Sequence, residues 1–293
     1  EQLPPLEGFR VLERIGRGGA AQVYLAKSPA GRLVAIKVLS DGDLDDDDGA
    51  LAREAKMCVR LNHPAIVQLR TILETGGVSA LVFEYVPGVA LGRVLRLCAS
   101  RGVRLPDAAA WHIVERVLSA LAYAHAQTDS DHRPAPIVHR DVTPANVLVD
   151  WAGEVKLGDF GLAKLVGNDG STKLGMVKGT LGCMAPEQAR GEPATERVDV
   201  YAAGLLAWRL ATGRAPFSKF RGDDLEMLRA MRNPRLRPLS ALRPDLPAPV
   251  LDATATALAV DPAARTITAE AFARVLREHF DLAAGKKVLV DLL

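Results

Sequence analysis

The sequence predicts an α+β fold of two unlike lobes, a small strand-rich one followed by a larger, mainly helical one. Short alternating apolar segments fill the chain up to about Phe83, and helical spacing of apolar residues takes over from about Leu91. A 48% hydrophobic content over 293 residues is enough for a large core. The net charge of +2, from 37 basic and 35 acidic residues, makes no case for nucleic-acid or membrane-surface binding.

Strands are expected at 9–12, 22–26, 33–39, 66–73 and 78–83, where apolar residues alternate between turn-forming ones. One helix, 50–61, interrupts them; it is built of good helix formers and stops before Asn62-His63-Pro64. The acidic run Asp43-Leu44-Asp45-Asp46-Asp47-Asp48 just before it reads as a solvated loop. Residues 84–89 join the two parts. The clearest helix is 106–125, with Ile113, Val117, Leu118 and Leu121 at helical spacing. Further helices are expected at 198–212, 223–232, 248–259 and 269–280. Cys58, Cys98 and Cys183 lie too far apart in sequence for paired metal-ligand spacing and suit a reducing compartment. No apolar run is long enough to cross a bilayer. The start at Glu1 and the apolar ending Val288-Leu289-Val290-Asp291-Leu292-Leu293 suggest a piece of a longer protein, cytoplasmic or the cytosolic part of a membrane-attached one.

The chemistry concentrates in His139-Arg140-Asp141-Val142-Thr143-Pro144-Ala145-Asn146 and in Asp159-Phe160-Gly161. Two carboxylates and a carboxamide at this spacing suit a magnesium nucleotide. Asp141 can accept a hydroxyl proton, and Asn146 and Asp159 offer hard oxygen ligands. Upstream, Gly16-Arg17-Gly18-Gly19-Ala20-Ala21-Gln22-Val23 sits between two expected strands, where backbone N–H groups can approach phosphates and Val23 can cover a purine. Lys37 is out of place on an apolar strand unless its ammonium meets anions.

Together with Val34-Ala35-Ile36-Lys37 and Ala185-Pro186-Glu187, in this order, these motifs make residues 9–280 resemble a protein kinase of the eukaryotic-like, bacterial Ser/Thr type. The resemblance implies a bilobal fold with an N-lobe at 9–83, a hinge at 84–89, a C-lobe at 90–280 and the start of a C-terminal extension at 281–293. It implies ATP with Mg2+ (Mn2+ as a substitute) and transfer of the γ-phosphoryl group to Ser/Thr hydroxyls of protein substrates. By the same resemblance Asp141 is the base, and Asn146 and Asp159 hold the metal. Gly16, Gly18 and Lys37 meet phosphates, Lys37 pairs with Glu54, and Thr180 bridges to the catalytic loop. Val23, Ala35 and Leu148 enclose adenine, the backbone of Glu84 and Val86 meets its edge, and Phe83 closes the back pocket. His139 supports the loop, Asp199 anchors its backbone, and Glu187 pairs with Arg265. Arg140 would receive a phosphate, with Thr172 and then Ser171 as autophosphorylation candidates.

Four positions depart from the family pattern. Ala21 replaces a glycine, Thr143 a lysine that meets the transferring phosphate, Cys183 an aromatic, and Ala145 an acid that holds basic peptides. The linker at 127–136 and the run at 137–149 resemble a bacterial subset in which a hydroxyl residue stands at the Thr143 position. Two other readings stay open: a catalytically weak nucleotide-binding scaffold, and a small-molecule phosphotransferase, whose relatives lack the 179–187 segment and the Arg265 partner. Activation through a homodimer is compatible with the resemblance, and no residue proves it.

Overall fold

The computed structural model describes residues 6, 8–17, 21–39, 61–75, 78–160, 182–220 and 222–293. The strands β1 (Arg10–Arg17), β2 (Ala21–Lys27), β3 (Leu33–Leu39), β4 (Leu69–Thr75) and β5 (Val78–Glu84) form one antiparallel sheet in the order β1-β2-β3-β5-β4. The apolar, β-branched run of β3 suits its central place between β2 and β5. The registers Ala26 to Val34 and Ile36 to Val82 put these residues on one face, where they form a small core with Leu6 and Ala80. Alternation then puts Val23, Ala35, Lys37 and Phe83 on the opposite face.

The first strand runs longer than expected because two register shifts against β2 let pairing continue to Gly16 and Arg17. The fourth begins later than expected. Ile66 bridges to Leu157 and the Val67 N–H donates to the Leu157 carbonyl at 3.0 Å, so the helical lobe takes the start of that apolar run. Residues 50–60 of the expected helix, Glu54 among them, lie outside the described residues, as do residues 161–181.

A second sheet, of β6 (Gly88–Ala90), β7 (Val147–Asp150) and β8 (Val155–Leu157), was not expected from the sequence. A Cβ on Gly88 would lie 2.0 Å from the Val149 carbonyl oxygen, so only glycine permits this strand to approach β7. The helical lobe comprises α1 (Leu91–Ser100), α2 (Asp107–His125), α3 (Pro186–Arg190), α4 (Glu196–Thr212), α5 (Asp224–Arg232), α6 (Leu239–Leu242), α7 (Ala248–Ala257), α8 (Ala269–His279) and α9 (Leu282–Leu292). Both α2 and α4 are apolar on nearly all sides and form the middle of the lobe. In the stretch 281–293, expected to begin an extension, Leu282–Leu292 form α9, which packs on α2, where a Cβ on Gly285 would lie 2.3 Å from the Ala108 carbonyl oxygen.

Candidate active site

The site is built outward from Asp199. This residue lies in the first turn of α4, which is capped by the Thr195 side chain, and it is only 1% exposed. The helix N-terminus favours its charge. Asp199 Oδ2 accepts the His139 N–H at 2.8 Å and lies 2.8 Å from His125 Nε2, while Oδ1 accepts the Arg140 N–H at 2.7 Å. The anchoring of the loop that the resemblance implied is thus present. His125 was not foreseen, because 74 positions separate it from Asp199 and no local pattern links them.

Arg140 adopts a left-handed backbone, φ +68°, a conformation that costs a non-glycine residue about 1–2 kcal/mol. Its N–H is held by Asp199, and its carbonyl accepts from Gln188 Nε2 at 3.0 Å, a contact from α3 that sequence reasoning also missed. The strained residue is therefore fixed on both sides. Its side-chain Nε is buried without a hydrogen-bond partner.

His139 is fully buried and couples the two motifs. Its Nδ1 accepts the Asp141 N–H at 3.2 Å, so the proton sits on Nε2, which donates to the Gly158 carbonyl at 2.8 Å. Its ring meets Phe160 edge-on, with centroids 4.5 Å apart. The Asn146 carbonyl accepts the Gly158 N–H at 2.8 Å, which brings Asn146 close to Asp159 in space.

Asp141 has its two carboxylate oxygens in different states. Asn146 Nδ2 donates to Asp141 Oδ2 at 2.8 Å and to the Asp141 carbonyl at 2.9 Å, which fixes the carboxylate plane. Oδ1 is buried and has no partner. A buried, unsatisfied carboxylate oxygen costs free energy unless something brings it a proton donor. Asn146 has used its amide nitrogen, which leaves its Oδ1 as a ligand oxygen. Asp159, also left-handed at φ +58°, makes an ion pair from Oδ1 to Lys37 Nζ at 3.0 Å. The anticipated partner of Lys37, Glu54, lies outside the described residues, as do Gly18, Ser171, Thr172 and Thr180.

On the sheet side, Val23, Ala35 and Phe83 are half-buried on the same face as Lys37, and Gly16 pairs with Val23 at the start of β2. Leu148 is half-buried on β7. Glu84 ends β5, its carboxylate taking the Gln68 N–H at 3.0 Å and Lys156 Nζ at 2.7 Å, so the link through Val86 leaves from a fixed point. Thr143 is buried, and half-buried Cys183 has its thiol pushed up to about 11 by desolvation, which keeps it protonated and unreactive near neutral pH. Farther out, the buried pair of Glu187 and Arg265, at 2.6 and 3.2 Å, is formed as the resemblance implied.

Asn146 and Asp159 together supply one carboxamide and one carboxylate. Among the described residues no group of three His, Cys, Asp or Glu could hold a metal. Such a donor pair fits a magnesium ion that completes its shell with phosphate and water oxygens.

Comparison with known proteins agrees with this geometry. The protein kinase domain model matches residues 9–275. The Myxococcus xanthus "Tyrosine-protein kinase MasK" is 33% identical over 94% of this chain and 43% of its own length. Bacillus subtilis "Serine/threonine-protein kinase PrkC" is 34% identical over 93% of this chain and 40% of its own. Mycobacterium tuberculosis "Serine/threonine-protein kinase PknA" is 36% identical over 88% and 58%. The chain thus spans about two fifths of the length of the first two of these relatives. The crystal structure of the Mycobacterium tuberculosis PknI kinase domain superposes with a TM-score of 0.69 at 30% identity, covering 94% of this chain and 97% of that one. Among the described residues no helix is long and apolar enough to cross a membrane. With the catalytic-loop geometry, the two-lobed fold and a family model spanning nearly its whole length, the chain belongs to the protein kinase family.

Proposed function

We propose that this domain transfers the γ-phosphoryl group of ATP to Ser and Thr hydroxyls of protein substrates, using Mg2+, for which Mn2+ can substitute. The observation that carries the reading is Asp141: one oxygen is pinned by Asn146, and the other is buried and unpartnered. That free oxygen suits a general base taking the proton of an incoming hydroxyl, and the pinned one fixes its direction. Lys37 would turn its ammonium to the phosphates, with the backbone at Gly16 and Gly18 covering them. Val23, Ala35 and Leu148 would enclose the adenine, and the backbone of Glu84 and Val86 would bond its edge. Asn146 and Asp159 would hold the metal, which when bound supplies charge neutralisation on the phosphoryl oxygens. The names of PrkC and PknA support serine and threonine as acceptors; that of MasK points to tyrosine for that relative. The need for ATP and the cysteine usage argue for a cytosolic site of action. We infer Thr172, then Ser171, as activating autophosphorylation sites, because Arg140 keeps a buried, unpartnered Nε to offer a phosphate.

The test is a time course of phosphate incorporation with magnesium ATP, comparing the wild-type chain with Asp141→Asn. The variant is expected to lose at least about a hundredfold in rate while still binding nucleotide. Label should appear as phosphoserine and phosphothreonine and map to Thr172 or Ser171. Equal rates in both proteins would remove Asp141 as the base; phosphotyrosine as the sole product would overturn the Ser/Thr assignment.

A further inference from the structure

A cavity of about 380 Å³ opens on the helical lobe beside the turn that follows α4, walled by Trp208, Arg214, Ser218, Arg235, Arg237 and Leu242. Its size suits a small ligand or a few residues of peptide. The residues around it include three arginines and a serine and no acidic side chain.

Two neighbouring arginines are neutralised. Arg229 pairs with Glu226 at 2.5 Å, and Arg243 is clamped between Asp107 at 2.7 Å and Asp245 at 2.6 Å. Arg214, Arg235 and Arg237 meet no carboxylate among the described residues; Arg237 gives one weak contact to the Ala241 carbonyl at 3.4 Å. The Arg237 carbonyl accepts the Trp208 indole N–H at 2.9 Å, which fixes the cavity wall at that corner. The sequence carries the same asymmetry. Residues 209–243 hold nine basic side chains and three acidic ones, a surplus of six in a chain whose total is +2.

Three like charges carried by residues around one open space repel one another, and an anionic occupant relieves that cost. Arginine is the side chain whose planar fork matches carboxylate and phosphate oxygens. The apolar part of the wall, Trp208 and Leu242, suits a hydrophobic residue beside the acidic ones. The cavity also lies near the chemistry. Pro216 lines both this cavity and a smaller hollow formed with Val142, Pro144, Gly182 and Cys183, and Val142 directly follows Asp141.

We propose that the cavity docks an acidic or phosphorylated peptide segment of the protein substrate, at a distance from the hydroxyl presented to Asp141. The inference rests on the domain being a protein kinase and adds a substrate class to that reading. It agrees with Ala145, which offers no carboxylate to a basic peptide.

The test has a binding arm and a turnover arm. In the first, the anisotropy of a labelled peptide of Asp and Glu with one central Leu is compared with that of an Asn/Gln peptide of equal length. The protein is the Asp141→Asn chain, with and without Arg214→Ala, Arg235→Ala and Arg237→Ala. The acidic peptide is expected to bind, at least tenfold more weakly to the triple-alanine form, and the neutral peptide not to bind. All three arginines are exposed, so the variant should fold. Lysine at all three positions keeps the charge and should restore part of the binding. In the second arm, a substrate carrying the acidic segment should show a KM about tenfold higher in the triple variant at unchanged kcat, while a substrate without the segment is unaffected. Equal affinity in the triple variant, equal binding of the neutral peptide, or occupation only by inorganic phosphate or by anionic vesicles would each overturn the docking site. Transfer without such binding rejects the docking site alone. Binding without any transfer rejects the kinase reading and, with it, the substrate role.

Discussion

Arg140 holds a left-handed backbone only because its N–H and its carbonyl are each tied to a different helix, α4 through Asp199 and α3 through Gln188. Asparagine in place of Asp199 cannot reproduce this. Whichever oxygen becomes an amide nitrogen would face a backbone donor, either His139 N–H or Arg140 N–H. Asp199→Asn should therefore lose about 1.5–3 kcal/mol for one charge-assisted bond and slow transfer at least about tenfold, as Asp141 loses its fixed direction. Denaturant unfolding and a single-turnover rate measure the two effects; a stable variant with normal turnover would refute the anchor. His112 makes a prediction of the opposite chemical kind. It is buried on α2, with Nε2 3.1 Å from the Gly153 carbonyl and Nδ1 unpartnered. Burial, the largest influence, holds its pKa below the usual 6.5; the Gly153 carbonyl, next in size, opposes it, the nearby Arg116 charge adds to the lowering, and Glu115 and Glu154 oppose it more weakly. The unfolded chain takes a proton there that the folded chain resists, so this stability is present above about pH 6.5 and is lost as pH falls below it. The melting temperature should drop between about pH 7 and 5.5, and by less in His112→Gln; an equal drop in both proteins would exclude His112 as a source.

Segments are held together at the next scale by buried charge as much as by apolar packing. Glu187 on α3 and Arg265, which follows α7, are 3% and 0% exposed and form a two-bonded pair. Arg265 also donates to the Arg197 and Ala259 carbonyls, each at 2.8 Å, and its guanidinium lies 4.8 Å from the centre of the Tyr201 ring. Glu187→Ala should cost about 3–5 kcal/mol, the usual penalty for stranding one buried charge, and Arg265→Ala should cost more because two carbonyls are orphaned as well. A double-mutant cycle read by denaturant unfolding checks this, and a coupling below about 1 kcal/mol would place the pair with ordinary surface bridges. These same elements mark how far the sequence could be read. β3 was legible because seven apolar-rich residues form one central strand, and α2 because its apolar residues recur at helical spacing. β6 and β8 were not legible, since three residues are too few to show a period. The start of the run at 66–73 was misassigned because an apolar residue cannot announce which lobe will bury it. The joining of His139, Arg140 and Asp199, and of Glu187 and Arg265, was visible only through the family resemblance. His125 and Gln188 were invisible even so, because their roles exist only once distant segments meet.

Across the whole molecule, the sheet lobe and the helical lobe meet through Lys37 on β3 and Asp159 beyond β8, 3.0 Å apart and 15% and 41% exposed. They meet again where Lys156 on β8 pairs with Glu84 at the end of β5 at 2.7 Å. A half-exposed ion pair of this kind stabilises by no more than about 1 kcal/mol, so the lobes are only softly fixed by it. A ligand that engages Lys37 from one lobe and Asn146 with Asp159 from the other should add far more, about 2.7 kcal/mol at a hundred times its Kd. Adding ATP and magnesium should therefore raise the melting temperature, and a chelator should remove the metal-dependent part of the rise. Asp159→Asn should lose that same part and become insensitive to the chelator, while Lys37→Met should bind nucleotide more weakly with the metal or without it. The two variants separate the roles: the first tests the metal ligand and the second the phosphate contact. If Asp159→Asn still responded to the chelator as the wild-type chain does, the metal would have to be held elsewhere, and the ion pair with Lys37 would be the whole of what Asp159 contributes.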